Sequence, residues 1–224
     1  MSLKPLDPGD SPAGGATSAQ KCLYLQKAKN RGDLGERIAF LVLQHSPVEI
    51  QRMKQNFSNK IQDITPEYRD RLTKKITEHL LGTYQRIRLL QQQGAFKTMH
   101  EPLTEQQKKY WDMAGKQCLE DDGGDAPDIR ILKYLLAGFC MLVLNEPGHP
   151  EGTPFPGGDS VQYTDGTYYC PVREKANDVG AALCPFCPAL QTPEIGYLRP
   201  PDNPSEHRKQ EFIEHCHKFH NFNG

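Results

Sequence analysis

The sequence predicts a mainly α-helical protein, built as a helical bundle with a small Pro/Gly-rich C-terminal module that contains a β-hairpin and a Cys-ligated metal site. Apolar residues recur with a helical period through most of the first 145 residues. The last 79 residues hold eleven of the 18 prolines and four of the seven cysteines. We therefore expect a disordered tail (1–20), a helical bundle (21–145) and a Cys/Pro-rich metal-binding module packed on the bundle (146–224).

The first twenty residues are rich in proline, glycine, serine and alanine and contain few large apolar side chains. Such a segment buries too little apolar surface to offset the entropy lost on ordering, so it predicts disorder. It also lacks the apolar stretch of a secretory signal. We accordingly expect a cytoplasmic protein in a reducing compartment, where cysteines serve as metal ligands or as buried apolar residues rather than as disulfides.

Helix start signals divide the bundle into its helices. A helical period over Leu34, Ile38, Leu41 and Val42 predicts the first of them. The next begins after Ser46, where Pro47 and Glu49 complete a capping box.

Two further start signals follow along the chain. Thr65-Pro66-Glu67 predicts a long helix that runs to about Gln93, with Gly94 as its stop. Thr104 begins a helix that contains Tyr110, Trp111 and Cys118. The acidic, glycine-rich stretch between Glu120 and Pro127 predicts a loop.

The segment from Asp128 to Asn145 is apolar nearly all round, which predicts the central helix of the bundle. Its most apolar run, Ile131 to Leu144, is shorter than the roughly 20 residues that a membrane span needs. We therefore expect no membrane association.

The charge balance disfavours nucleic acid as a partner. Lys and Arg total 27 and Asp and Glu total 28, and acidic residues are interleaved with the basic residues between Arg52 and Arg88. This pattern is typical of a solvated helix face, whereas nucleic-acid binding favours a one-sided basic stripe with stacking aromatic residues. The partner that we expect is another protein.

The C-terminal module contains a predicted β-hairpin. Residues 161–163 and 167–169 flank Thr164-Asp165-Gly166, and the Asp-Gly step favours a tight turn. Cys170 ends the second strand of this hairpin.

Cys170, Cys184 and Cys187 give the clearest chemical signal in the chain. Cys184 and Cys187 form a Cys-x-x-Cys pair, and two thiolates at this spacing can bind one metal from a single turn. Cys170 supplies a third thiol from the end of the hairpin. The sequence therefore predicts a metal site with at least three sulfur ligands.

The last helix, which we expect to begin at Ser205, offers a fourth ligand. Phe212, Ile213, Cys216 and His220 fall on one face of that helix. Because the apolar pair points inward, Cys216 is the first candidate and His220 the second. His149 is the third candidate.

The identity of the cofactor stays open between an iron–sulfur cluster and zinc. Pro171, Pro185 and Pro188 each follow one of the cysteines, and Cys-Pro steps occur beside the ligands of both. Cys184 and Cys187 could instead form a thiol/disulfide redox pair, or be ordinary structural thiols. Cys118 and Cys140 lie in apolar helical patterns, so we expect both to be core residues rather than ligands.

Residues 148–158, with the sequence GHPEGTPFPGG, form the other distinctive segment. Its glycines could offer backbone N–H groups to an anion, but no Lys-Ser/Thr step follows, so it is not a phosphate-binding P-loop. A rigid connection between bundle and hairpin is the favoured interpretation.

Three kinds of function remain open. No catalytic motif can be assembled from the chain, which favours an accessory or interaction protein with a structural metal over an enzyme. A redox protein that uses the cluster or the Cys184/Cys187 pair is one alternative. A metalloenzyme with three protein ligands and an open position is the other.

Three motifs resemble an uncharacterised, domain-of-unknown-function family of methanogenic archaea. They are the stretch from His149 to Gly158, the segment Tyr168-Tyr169-Cys170-Pro171-Val172, and the Cys184-x-x-Cys187 pair. The resemblance implies no particular activity. It does imply a strictly anaerobic cytoplasm rich in iron–sulfur proteins, which favours an iron–sulfur cluster over zinc.

Overall fold

The computed structural model describes residues 12, 15–119, 126–155, 158–174 and 183–193. In these ranges the protein is mainly helical, with a small three-stranded sheet. The six α-helices are α1 Ser18–Gln26, α2 Arg31–Val42, α3 Pro47–Lys60, α4 Pro66–Gln92, α5 Glu105–Leu119 and α6 Pro127–Gly138. The strands are β1 Gln162–Thr164, β2 Thr167–Cys170 and β3 Leu190–Gln191.

The start and stop signals of α3 and α4 are confirmed. The Ser46 backbone N–H donates to a Glu49 carboxylate oxygen at 2.7 Å, as a capping box requires. Helix α4 ends at Gln92, and Gly94 has the left-handed φ of 66° that favours glycine after a helix. A 3₁₀ turn, Ala95–Thr98, follows.

Helix α1 begins inside the segment predicted as a disordered tail. A capping box explains the start at Ser18, since the Gln20 N–H donates to Thr17 and the Thr17 N–H donates to the Gln20 side chain. Cys22 is buried on this helix and packs near Gly115 of α5.

The predicted central helix is confirmed as the centre of the core. Ile131, Leu132 and Leu135 of α6 have no exposed surface. Tyr110 and Trp111 of α5 pack with them in the same hydrophobic cluster. The cluster also contains apolar residues of α1, α2, α3 and α4, so one core unites all six helices.

The last turn of the central helix is π-helical, which the sequence did not predict. It spans Phe139–Val143, and the Leu144 N–H donates to the Phe139 carbonyl at 3.1 Å. Arg31 of α2 closes this end, because its Nε and Nη2 donate to the Val143 carbonyl at 3.0 and 2.7 Å. Asn145 then turns the chain with a φ of 57°.

The predicted hairpin is confirmed, but it belongs to a larger sheet. β1 and β2 pair antiparallel, and the turn residues Asp165 and Gly166 both have positive φ, at 50° and 81°. β3 pairs with β2 in parallel, a contact that the hairpin pattern did not predict. A strand of two residues is too short to show a periodic pattern, and β3 pairs with residues about 20 positions earlier in the chain. The sequence therefore contains no signal for it.

The module packs against the bundle through side chains of α4 and α5. The Phe186 and Tyr110 rings meet edge to face with centroids 5.3 Å apart. The Gln106 amide donates to the Pro185 carbonyl at 2.9 Å. The Tyr68 hydroxyl of α4 donates to the Pro154 carbonyl at 3.0 Å.

Some expectations fall outside the described residues. They are most of the predicted tail, most of the predicted loop after α5, and the predicted last helix with Cys216 and His220. Across the described ranges, every helix is too short or too polar to traverse a lipid bilayer.

Gly32 and Gly82 give a direct test of helix packing. A Cβ on Gly32 would lie 2.7 Å from the Met99 carbonyl oxygen, whereas a Cβ on Gly82 would meet nothing within 4 Å. We expect Gly32→Ala to lower the melting temperature because backbone atoms must shift. Gly82→Ala should raise the melting temperature, because alanine in a helix adds up to about 1 kcal/mol to the free energy of unfolding. Equal melting temperatures for the two variants in calorimetry would contradict this packing.

Candidate functional site

Three cysteine thiols line one small cavity beneath the module. Cys170, Cys184 and Cys187 share its wall with His149 and Arg173. The cavity volume is about 20 Å³, which is enough for one water molecule or one ion. The sequence therefore identified side chains that the fold brings to a common place.

The sheet register and a 3₁₀ turn place these thiols. Cys170 is the last residue of β2 and pairs with Gln191 of β3. Its carbonyl accepts the Thr192 N–H at 3.1 Å. The 3₁₀ turn Cys184–Phe186 precedes β3, and the Cys187 N–H donates to the Cys184 carbonyl at 3.0 Å. The parallel pairing thus returns the Cys-x-x-Cys turn to the end of the hairpin.

Arg173 connects the two segments that supply the thiols. Its Nε donates to the carbonyls of Cys187, at 3.3 Å, and Ala189, at 3.1 Å. Sequence reasoning missed this residue because an arginine after a hairpin has no distinctive pattern. Its position three residues after Cys170 was the only available hint.

Backbone hydrogen bonds lower the pKa of each of the three thiols and so favour the thiolate form. The N–H groups of Val172 and Arg173 donate to the Cys170 thiol. The N–H groups of Ala189 and Gly148 donate to the Cys187 thiol. Such donors stabilise a thiolate, and hydrogen bonds of this kind support ligands in metal sites.

Burial nevertheless dominates the acidity of the three thiols. It raises the pKa of Cys170 to about 11 against the opposing effect of its N–H donors. Burial and the neighbouring thiols raise the pKa of Cys184 to about 12. Burial also raises the pKa of Cys187. Without a nearby cation, these cysteines are neutral thiols at neutral pH.

The raised pKa values disfavour the redox-pair alternative. A reactive Cys-x-x-Cys needs an accessible cysteine with a depressed pKa. Cys184 is only 6% exposed, Cys187 is half-buried, and no disulfide joins any of the described cysteines. Cys118 and Cys140 are buried in the helical core, as predicted.

The backbone of Gly148 connects the site to α4. Its carbonyl accepts a hydrogen bond from His79, and its N–H donates to the Cys187 thiol. His79 is half-buried on α4, with Nε2 3.8 Å from the Cys140 sulfur. No spacing in the sequence could have paired it with Gly148, 69 residues away.

Of the three candidates for the fourth ligand, only His149 lies within the described residues. His149 lines the same cavity as the three thiols, and its ring packs edge to face on Phe155 at 5.7 Å. Cys216 and His220 lie outside the described residues. Within the described ranges, no three His, Cys, Asp or Glu side chains form a group arranged to hold a metal ion. Binding would therefore require the thiols to converge on the cavity.

The protein is of the mainly helical class, with a small sheet packed on the bundle. A cysteine-lined cavity lies between the end of the central helix and this sheet. The family described as "Uncharacterized protein conserved in archaea" (DUF2115) matches residues 30–192. The chain belongs to this family. The matched region contains Cys170, Cys184, Cys187 and His149.

Similar proteins come from methanogens. The UPF0305 protein MK0666 of Methanopyrus kandleri is 39% identical over 80 residues, which are 36% of this chain and 56% of the relative. A UPF0305 protein of Methanothermobacter thermautotrophicus is 55% identical over 69 residues, which are 31% of this chain and 43% of the relative. The chain thus spans about half the length of the curated relatives it matches. No solved structure is significantly similar to it.

His79 predicts a pH dependence of stability. Burial, together with the Lys75 charge, lowers its pKa from 6.5 to about 4 in the folded protein. The unfolded chain therefore binds the proton first, so stability is full above about pH 6.5 and falls as the pH drops towards 4. The expected loss, complete below about pH 4, is on the order of 3 kcal/mol.

His79→Gln should reduce this acid sensitivity, measured as the difference in melting temperature between pH 7 and pH 5. His100→Gln is the matched control, because His100 is exposed. Identical pH profiles for His79→Gln and the parent protein would contradict the assignment.

Proposed function

We propose that this protein is a metal-binding accessory protein in which Cys170, Cys184 and Cys187 bind one metal ion that fastens the C-terminal module to the helical bundle. The observation that supports this most directly is the common cavity of the three thiols. Three thiolates with an imidazole form a frequent ligand set for structural zinc.

The size of the cavity favours one ion over a cluster. About 20 Å³ accommodates a single water-sized body, whereas an iron–sulfur cluster comprises several metal and sulfide atoms. Zinc is therefore the first choice, with an iron–sulfur cluster as the alternative that the Cys-Pro steps and the methanogen relatives support. A bound cation would replace the thiol protons, which the raised pKa values otherwise retain.

His149 is the proposed fourth ligand. It lines the cavity together with the three thiols. Cys216 and His220 remain alternatives from the chain beyond the described residues. Four protein ligands would leave no open position, which is typical of a structural site and favours an interaction with another protein over catalysis.

The location of the site supports a fastening role. Cys187 packs against both the main hydrophobic core and the small cluster formed by Phe155, Val161, Cys170 and Ala189. An ion bound there would connect β2, the Cys-x-x-Cys turn and the segment that leaves α6. Loss of the ion should therefore loosen the module while the bundle stays folded.

Metal content tests the proposal. The protein is purified without oxygen and its metals are measured by elemental analysis, together with an absorption spectrum. We expect about one zinc per chain and no visible band. Cys187→Ala should lose the metal and lower the melting temperature of the module, since metal binding and folding are coupled.

Cys140→Ala and Cys118→Ala are matched controls, because both remove a buried thiol away from the cavity. Both should keep the metal. Iron with sulfide and a visible band would instead favour the redox alternative. Absence of metal, or retention of metal by Cys187→Ala, would overturn the proposal.

The fourth ligand has its own test. His149→Ala should weaken zinc binding by at least about tenfold in a chelator competition, as expected when a ligand is removed. His100→Ala, an exposed histidine, should have no effect. Loss of zinc in Cys216→Ala or His220→Ala, with retention in His149→Ala, would show that the fourth ligand comes from the C-terminal segment and not from His149.

A further inference from the structure

Two features that looked unrelated in the sequence face each other across a cleft. One is the basic face of α4, with Arg71, Lys74 and Lys75 on successive turns. The other is the glycine-rich segment after α6, described at residues 152–155 and 158–160. The cleft between them has a volume of about 350 Å³, within the range typical of small-molecule sites.

Hydrogen bonds hold the described parts of the loop wall, residues 152–155 and 158–160, in place. The Phe155 N–H donates to the Asp159 carbonyl at 2.8 Å, and the Gly152 N–H donates to the Val161 carbonyl at 2.8 Å. Tyr68 of α4 anchors the Pro154 carbonyl. A ligand that contacts these residues would therefore lose little affinity to ordering of the backbone there.

The three basic side chains of the cleft lie close together on α4. Within the described residues, Arg71, Lys74 and Lys75 form no ion pair with a carboxylate. They lie three and four residues apart, so their like charges repel one another. Lys75 is half-buried, and its Nζ would lie 3.3 Å from a Cβ on Gly152. An anion bound between these cations would relieve the repulsion.

The remaining walls restrict the kind of anion. Glu78 and Asp159 also line the cleft, so three cations face two carboxylates. The carboxylates repel a second anionic group and accept hydrogen bonds from hydroxyl or amino groups. Ser160 and Phe155 complete a surface suited to the uncharged part of the same ligand.

We propose that this cleft binds a small phosphorylated compound, with Arg71, Lys74 and Lys75 around the phosphate and Glu78 and Asp159 hydrogen-bonded to its hydroxyl or amino groups. This site is separate from the cysteine-lined cavity and does not depend on a bound metal. The full chain therefore binds the compound whatever the outcome of the metal analysis.

Titration calorimetry on the full chain tests the proposal with three probes: inorganic phosphate, ribose 5-phosphate and ribose. Ribose 5-phosphate should bind with one site per chain and more tightly than phosphate, and ribose should not bind. Lys74→Gln should weaken ribose 5-phosphate binding about tenfold, the expected effect of one charge-assisted contact. Lys75→Gln should act similarly.

Arg88→Gln is the matched control, since it removes one exposed charge from the same helix away from the cleft. Glu78→Gln should strengthen inorganic phosphate binding, because it removes a repelling carboxylate, and Asp63→Asn should leave it unchanged. Lys74 is exposed, so that variant remains usable if Lys75→Gln fails to fold. Absence of ribose 5-phosphate binding, or equal losses in Lys74→Gln and Arg88→Gln, would overturn the proposal.

Discussion

The nearly complete burial of α6 beyond its first turn is the constraint on which the rest of the structure depends. A helix that is apolar on all sides must be surrounded, and the other helices supply that surrounding. Its C-terminal carbonyls then lie where water cannot satisfy them. Arg31 donates to the Val143 carbonyl and Gln107 to the Leu142 carbonyl. The Glu146 N–H donates to the Cys140 carbonyl. These bonds fix the direction in which the chain leaves the core.

That direction determines the candidate metal site. Two residues beyond Glu146, the Gly148 peptide meets His79 on one side and Cys187 on the other. The cavity therefore lies at the boundary between bundle and module, and not within the module alone as the cysteine spacing suggested. The same segment continues into the loop that forms the second cleft against α4. Both proposed sites depend on one exit path from the central helix.

Sequence patterns predicted the features that are locally encoded. The Ser46 cap, the Gly94 stop and the Asp165-Gly166 turn each depend on a few adjacent residues, and each is confirmed. The gathering of Cys170, Cys184 and Cys187 at one cavity was also predictable, because hairpin and Cys-x-x-Cys spacings are recognisable.

The features that the sequence did not predict are non-local. Strand β3 forms through parallel backbone pairing with β2, which is distant in the sequence. The π-helical turn reflects packing at the end of α6, since its residues FCMLV fit an ordinary α-helix equally well. The apposition of Lys74 to the glycine-rich loop likewise depends on how α4 crosses the module. Such contacts have no signature within a short window of sequence.

The environment of the sulfur atoms distinguishes the candidate ligands from the core cysteines. Burial raises the pKa of Cys22 to about 12, and of Cys118 and Cys140 to about 11. Nearby charges or side-chain hydrogen bonds modify that rise at these three thiols. Cys170 and Cys187 are also buried, yet two backbone hydrogen bonds lower the pKa of each.

A neutral buried thiol has little need of N–H donors, whereas a thiolate needs them to replace lost hydration. Backbone hydrogen bonds at Cys170 and Cys187 therefore favour the thiolate, whereas burial opposes it more strongly. A cation in the cavity would reconcile the two effects, because its attraction for a thiolate is strongest where water is excluded. Hydrogen bonding and the shared cavity together make Cys170 and Cys187 better suited to a cation than the core thiols Cys22, Cys118 and Cys140.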